Sequence, residues 1–231
     1  MTFSDEEWMA IALSLKVSSV ATLCLIPVGV GLAWLLARHE FRGKSVLNLV
    51  IHLPLVMPPV VTGYFLLIVF GRRGMIGEAL ETCCGIVFSF RWTGAALAAA
   101  VMGLPLMVRA IRLTIENINP QIEKSAASLG ASPFRVFRSI TLPLAIPGIL
   151  AGSILAFAKA LGEFGATITF VSNIPGETQT LPSAIYSFTQ VPGGDANALR
   201  LAAISVVISF IALLASEAMA RRLAIRSVGY Q

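Results

Sequence analysis

The chain has 231 residues, of which 56% are apolar and 13% charged, and its mean hydropathy is +0.83. Soluble domains carry about 45–50% apolar and about 25% charged residues, so ordinary soluble, disordered and coiled-coil classes are excluded and the bilayer is indicated. The formal charge is +5, arising largely from basic loops and arguing against a nucleic-acid partner, while Cys24, Cys83 and Cys84 are too few and too poorly spaced for a disulfide framework or a zinc site and read as packing residues.

Crossing about 30 Å of hydrocarbon takes about 20 mostly apolar residues. Five windows of that kind predict an all-α integral membrane protein with one transmembrane domain over residues 1–231. The first runs from Val17 to Ala37. Asp5, Glu6 and Glu7 precede it where a cleavable signal peptide would carry basic residues, so it is expected to remain as a span. The second, Val46 to Phe70, contains Pro54, Pro58 and Pro59. Each proline removes a donor, so the carbonyls of Val50, Pro54 and Leu55 lose their partners and a kink is predicted. Such carbonyls favour a face turned toward protein or a hydrated path, and a simple packing kink is the competing reading.

The third window is Thr93 to Val108. A less apolar segment follows, Asn119 to Thr141, with helix punctuation. Asn119 and Pro120 form an N-cap and N1 pair, Ile122, Ala126 and Leu129 recur at helical spacing, and Gly130 supplies a stop. Ser132 and Pro133 then open a second short helix, with Phe134, Phe137 and Ile140 on one face, until Pro143 opens the fourth window, Leu142 to Leu161. That window holds a Gly148/Gly152 pair suited to close helix packing. It ends in Lys159, Gly162, Glu163, Phe164 and Gly165, where Lys159 and Glu163 at i,i+4 are placed to pair. Gln179 to Gln190 reads as a short outer helix or re-entrant turn, and Leu201 to Ala220 is the fifth window.

Lys and Arg mark cytoplasmic loops. Arg38, Arg42 and Lys44, then Arg109, Arg112, Lys124, Arg135 and Arg138, then Arg221, Arg222 and Arg226 fall in alternate compartments. Most acids fall opposite. The predicted topology has the N-terminus outside, the C-terminus inside and the 119–141 segment in the cytoplasm. That segment reads either as an amphipathic connector on the membrane surface or as a docking element. In the second case Ser125, Ala126, Ala127 and Ser128 allow close approach, and Glu123 accepts a charge-assisted hydrogen bond.

Glu123, Ala126, Ala127, Gly130, Ile140, Leu142 and Pro143 resemble the EAA loop of permease subunits in bacterial ABC importers. Lys124 and Ser125 separate the acid from the alanine pair, where many members have the alanines at once. The stretches LPLVMPPVVTGY, Leu53 to Tyr64, and ALGEFGATITFVSNIPGETQ, Ala160 to Gln179, are similar to the molybdate branch of that family, over nearly the whole chain. The resemblance implies a homodimeric permease of the bacterial inner membrane that moves molybdate, with tungstate as a second cargo, by alternating access. Its implied partners are two cytoplasmic ATP-binding subunits and a periplasmic molybdate-binding protein. It further implies that Glu123, Ala126, Ala127, Ser128, Gly130 and Ala131 couple to the ATPase. Pro58, Pro59, Thr62, Gly162, Glu163, Phe164 and Gly165 are then expected to form the pathway or gate. An oxyanion prefers N–H and O–H donors, so Thr167, Thr169, Ser172 and Asn173 are candidate contacts.

The sequence contains no G-x-x-x-x-G-K-[ST], so ATP and magnesium are expected in the partner ATPase and no cofactor in this chain. No metal-ligating, Ser/His or H-E-x-x-H constellation marks an enzyme. The absence of an obvious internal repeat favours a two-fold homodimer around any central pathway. A sulfate or thiosulfate permease of the same machine is the nearest alternative, and a nucleotide-independent secondary transporter or channel the next.

Overall fold

The computed structural model describes the backbone of residues 4–228, with side chains to residue 212 and at Leu214. The tail cations Arg221, Arg222 and Arg226, and the side chains of the fifth window beyond that limit, lie outside the described residues. All regular structure among the described residues is helical. In chain order the helices are α1 (Asp5–Arg38), α2 (Lys44–Val56), α3 (Pro59–Phe70), α4 (Met75–Cys84), α5 (Trp92–Glu116), α6 (Pro120–Ser128), α7 (Pro133–Val136), a π-helical segment (Phe137–Thr141), α8 (Leu142–Leu161), α9 (Gly165–Val171), α10 (Leu181–Thr189) and α11 (Asp195–Val228).

Four helical stretches among the described residues are long and apolar enough to cross a membrane, and the bent pair α2–α3 makes up to five. The first helix begins well before the apolar window. Ser4 caps it, with its hydroxyl accepting from Glu7 N–H while the Glu7 carboxylate accepts from Ser4 N–H at 2.8 Å. This reciprocal box fixes the start of a 34-residue helix.

The second window is not one kinked span. It separates into two helices bent by 117°. The cause is local: the residue before a proline is pushed out of the α region, and here Met57 (ψ 148°) and Pro58 (ψ 131°) are both extended ahead of a proline. Helices of 13 and 12 residues rise about 20 Å each, short of the hydrocarbon thickness.

The fourth window also differs from expectation. Its helix does not start at Pro143 but runs back to Pro133 as one 29-residue stretch. Pro143 has no N–H to donate, and the chain absorbs that gap as a π turn in which Leu142 N–H reaches back to Phe137 O. The second short helix of the 119–141 segment is thus the first turn of this long helix.

The core is a seam of α1, α5 and α8. Ala33, Leu36, Met107, Val108, Ile111, Ile115 and Ala156 are buried there. Apolar area gains little between helices already in lipid, so close contact has to supply the attraction. Gly152 provides it: a Cβ at that position would stand 3.0 Å from Met107 O. A second cluster joins the first half of α1 to α10 and the start of α11, where Ser14 Oγ accepts from Leu181 N–H at 2.6 Å. The cysteines are free and exposed, contrary to their reading as packing residues. Cys24 lies off the buried stripe of α1, and α4 buries only Gly77.

Candidate functional site

Two constellations stand out. The first is built on α6, whose start follows the sequence signals: Asn119 Oδ1 accepts from Gln121 N–H at 3.0 Å, and Pro120 occupies the first turn. Its end does too, since Gly130 takes a φ of +87° that only glycine adopts without strain. The helix buries no residue fully. Ile122 and Leu129 point outward, with Leu129 89% exposed, so these apolar residues of the helical-spacing stripe face away from the bundle. Ala127, Ser128 and Gly130 share this open surface, Ala126 and Ala131 sit at its edge, and Phe134 of α7 adds a third exposed apolar side chain.

Glu123 turns the other way. Its carboxylate lies 2.8 Å from Arg38 Nε at the end of α1, and it accepts from Thr141 Oγ1 of the π segment at 2.6 Å. Both charged side chains are only about one-sixth exposed (16% and 15%). Arg38 Nε makes no hydrogen bond, so this contact is a charge pair. The Arg38 Nη2 donates to Ile118 O at 3.1 Å. Arg112 of α5 pairs with Glu116 and donates to Asn48 of α2 at 3.1 Å. The 119–141 segment is therefore fastened to the end of α1 through Arg38, and the neighbouring end of α5 is tied to α2 through Arg112. Beside it lies a pocket of about 460 Å³ lined by Trp34, Arg38, Glu123, Lys124, Phe137 and Thr141 among others.

The second constellation joins the proline-rich and glycine-rich stretches, which are about a hundred residues apart in sequence. α3 packs on α9. A Cβ at Gly165 would sit 2.8 Å from Pro59 Cβ, and one at Gly63 would be 2.9 Å from Thr169 Cβ. These glycines are needed for the contact. Gly162 is not, because its Cβ would meet nothing nearer than Ala158 O at 3.7 Å. Thr62 of α3 is buried toward α2 and α5, where it lines a cavity with Leu53, Met57 and Val101, and its hydroxyl has no protein partner among the described residues.

Glu163 holds the bend between α8 and α9. It is 2% exposed, receives a hydrogen bond from Lys159 Nζ at 2.7 Å and another from Ala166 N–H at 3.0 Å. A carboxylate capping the first turn of a helix while paired to a lysine is well satisfied, which is why it tolerates burial. Phe164 leans on Tyr186 of α10 with ring centroids 5.3 Å apart.

The candidate oxyanion contacts are close in sequence, and all but the exposed Ser172 have side chains hydrogen-bonded inside the chain. Thr167 donates to Phe164 O at 2.8 Å, Thr169 to Gly165 O at 2.8 Å, and Asn173 Nδ2 to Ser187 Oγ at 2.6 Å. Ser172 has a φ of +66°, an uncommon conformation for a residue with a Cβ. Sequence reasoning missed Arg38 and Thr141 as partners of Glu123. Both were visible, one as the last cation of the first span and the other inside the I-T-L-P run, but nothing in their spacing paired them.

Residues 26–225 match the family model described as "Binding-protein-dependent transport system inner membrane component". The chain is 59% identical over 221 residues, covering 96% of both chains, to the molybdenum transport system permease protein ModB of Escherichia coli strain K12. It is 54% identical over 217 residues to the protein of that name in Haemophilus influenzae, covering 94% of this chain and 95% of the other. A chain in the crystal structure of a bacterial ABC transporter involved in the import of the acidic polysaccharide alginate superposes with a TM-score of 0.74, covering 95% of this chain and 80% of that one at 18% identity, a likeness of fold.

Proposed function

Because this chain belongs to the family of binding-protein-dependent transport system inner membrane components, we propose that it is the membrane-spanning permease subunit of an ATP-driven importer whose cargo is molybdate, with tungstate accepted as well. Similarity to molybdenum permeases along nearly the whole length carries this reading of the cargo. In it the chain pairs with a second copy of itself, two cytoplasmic ATP-binding subunits supply ATP and magnesium chemistry, and a periplasmic binding protein delivers the anion.

The chain's own part is mechanical. The open face of α6, with Ala126, Ala127, Ser128, Gly130 and Ala131 flanked by Ile122, Leu129 and Phe134, receives the ATPase on the cytoplasmic side. A movement imposed there crosses the Gly130 break into α7 and from there runs into α8, since α7, the π segment and α8 form one helical stretch. The far end of α8 bends at Gly162 and Glu163 into α9, and α9 bears on α3 through Gly165 and Pro59. Pro58, Pro59, Thr62, Glu163 and Phe164 thus belong to the gate, and Thr167, Thr169, Ser172 and Asn173 flank the path. Thr167 and Thr169 already donate to backbone carbonyls and must break those bonds to donate to an anion, which keeps any such contact weak, and conduction requires release.

The test is reconstitution. Vesicles holding this chain with its ATPase and binding protein are expected to accumulate labelled molybdate only with ATP, and excess sulfate is expected to compete poorly. Accumulation without nucleotide would overturn the importer reading. Efficient competition by sulfate would replace the cargo.

A further inference from the structure

Glu123 is placed to do something other than meet a partner. On the permease reading above, an acid on the coupling segment would be expected to face the ATPase. Here it is turned inward, mostly buried, and its two carboxylate oxygens are taken by Arg38 Nε at 2.8 Å and Thr141 Oγ1 at 2.6 Å. Thr141 itself is 1% exposed. These three residues come from three elements: the end of α1, the first turn of α6 and the π segment that begins α8.

We propose that Arg38, Glu123 and Thr141 form an internal tie that makes α6 move as one body with α1 and α8, and that Arg38 and Thr141 are positioning residues for transport. The contact to the ATPase is then made by the outward surface of α6, and Glu123 sets the orientation of that surface. Three observations point this way. α6 buries no residue of its own, so apolar packing does not hold it in place. The connection from α5 into α6 is held by the same arginine, through Ile118 O at 3.1 Å. The π turn places Thr141 beneath the carboxylate at the point where Pro143 would otherwise leave an unmatched carbonyl.

A carboxylate and a guanidinium with little exposure depend on each other, because removing one leaves the other desolvated without a counter-charge. Arg38→Ala should therefore loosen α6 and raise the ATP consumed per molybdate delivered by about tenfold, while the ATPase subunits still co-purify. Thr141→Val should do the same to a lesser degree, by about threefold. The exchange Arg38→Glu with Glu123→Arg restores the opposite charges and should recover coupling. A defect of folding alone would lower uptake and hydrolysis together and would not respond to the exchange.

The experiment measures uptake and hydrolysis in the reconstituted importer for the wild type, Arg38→Ala, Thr141→Val, Glu123→Gln and the exchange. Spin labels at Ser128 and Arg42 report the α6-to-α1 distance in the same samples. A broadened distance distribution in Arg38→Ala, a raised ATP cost and rescue by the exchange support the tie. Unchanged distance and unchanged ATP cost in Arg38→Ala overturn it, as does loss of the ATPase subunits in Glu123→Gln alone, which would make Glu123 a docking contact. If the wild type moves no molybdate, the permease reading fails by itself, and the label distances decide the tie.

Discussion

Two carboxylates, the part-buried Glu123 and the buried Glu163, solve different problems with similar chemistry. Among the described residues the Glu163 carboxylate bonds within its own neighbourhood, to Lys159 four residues earlier and to Ala166 three residues later. Glu123 reaches across the fold, to Arg38 and to Thr141, eighteen residues on. The first shapes a bend and the second joins separate helices. A local acid can be read from spacing, since i,i+4 places two side chains on one helix face. An acid that joins distant elements carries no such mark.

The comparison can be broken at Glu163 first. Glu163→Ala removes the cap of α9 and strands Lys159, so a loss of about 3–5 kcal/mol is expected, read as a large fall in the unfolding temperature of the detergent-solubilised protein. A loss under about 1 kcal/mol would mean that the bend stands without its carboxylate. Next comes the glycine pair. Gly165→Ala forces its new methyl into Pro59 and should cost about 1–3 kcal/mol, whereas Gly162→Ala has room and should fall within about 0.5 kcal/mol. Equal effects would contradict the packing of α3 on α9. The smallest effect on stability is expected at the open face of α6. Leu129→Ala and Phe134→Ala remove exposed side chains and should change the unfolding free energy by less than about 0.5 kcal/mol. The same variants should weaken retention of the ATPase subunits, measured by co-purification.

Much of the helical architecture was legible. Apolar windows marked the long helices, and the caps at Asn119, Ser132 and Gly130 marked α6 and α7. Lys159 and Glu163 pair as their spacing predicted. What escaped was set by backbone geometry or by distance along the chain. Three prolines in one window signalled a bend, but only the extended Met57 and Pro58 show that the helix ends there. Pro143 looked like a start signal, yet a π turn carries the helix through it. Ile122 and Leu129 fitted a helical stripe, and periodicity alone did not say which way that stripe faced. The Ser4 and Glu7 box was a readable signal that apolar windows overlook, because it lies in a polar stretch.

That box has a consequence at the far end of the same helix. From Glu7, which also lies 3.4 Å from Arg200 of α11, to Arg38 is 31 steps along α1, about 46 Å at the helical rise. A rod of that length is a lever: a tilt of about 5° at one tip displaces the other by about 4 Å, with only Pro27 to soften it along the way. The pair at Glu7 and the pair at Arg38 are therefore anchors of a single beam, and a pull on either is felt at both.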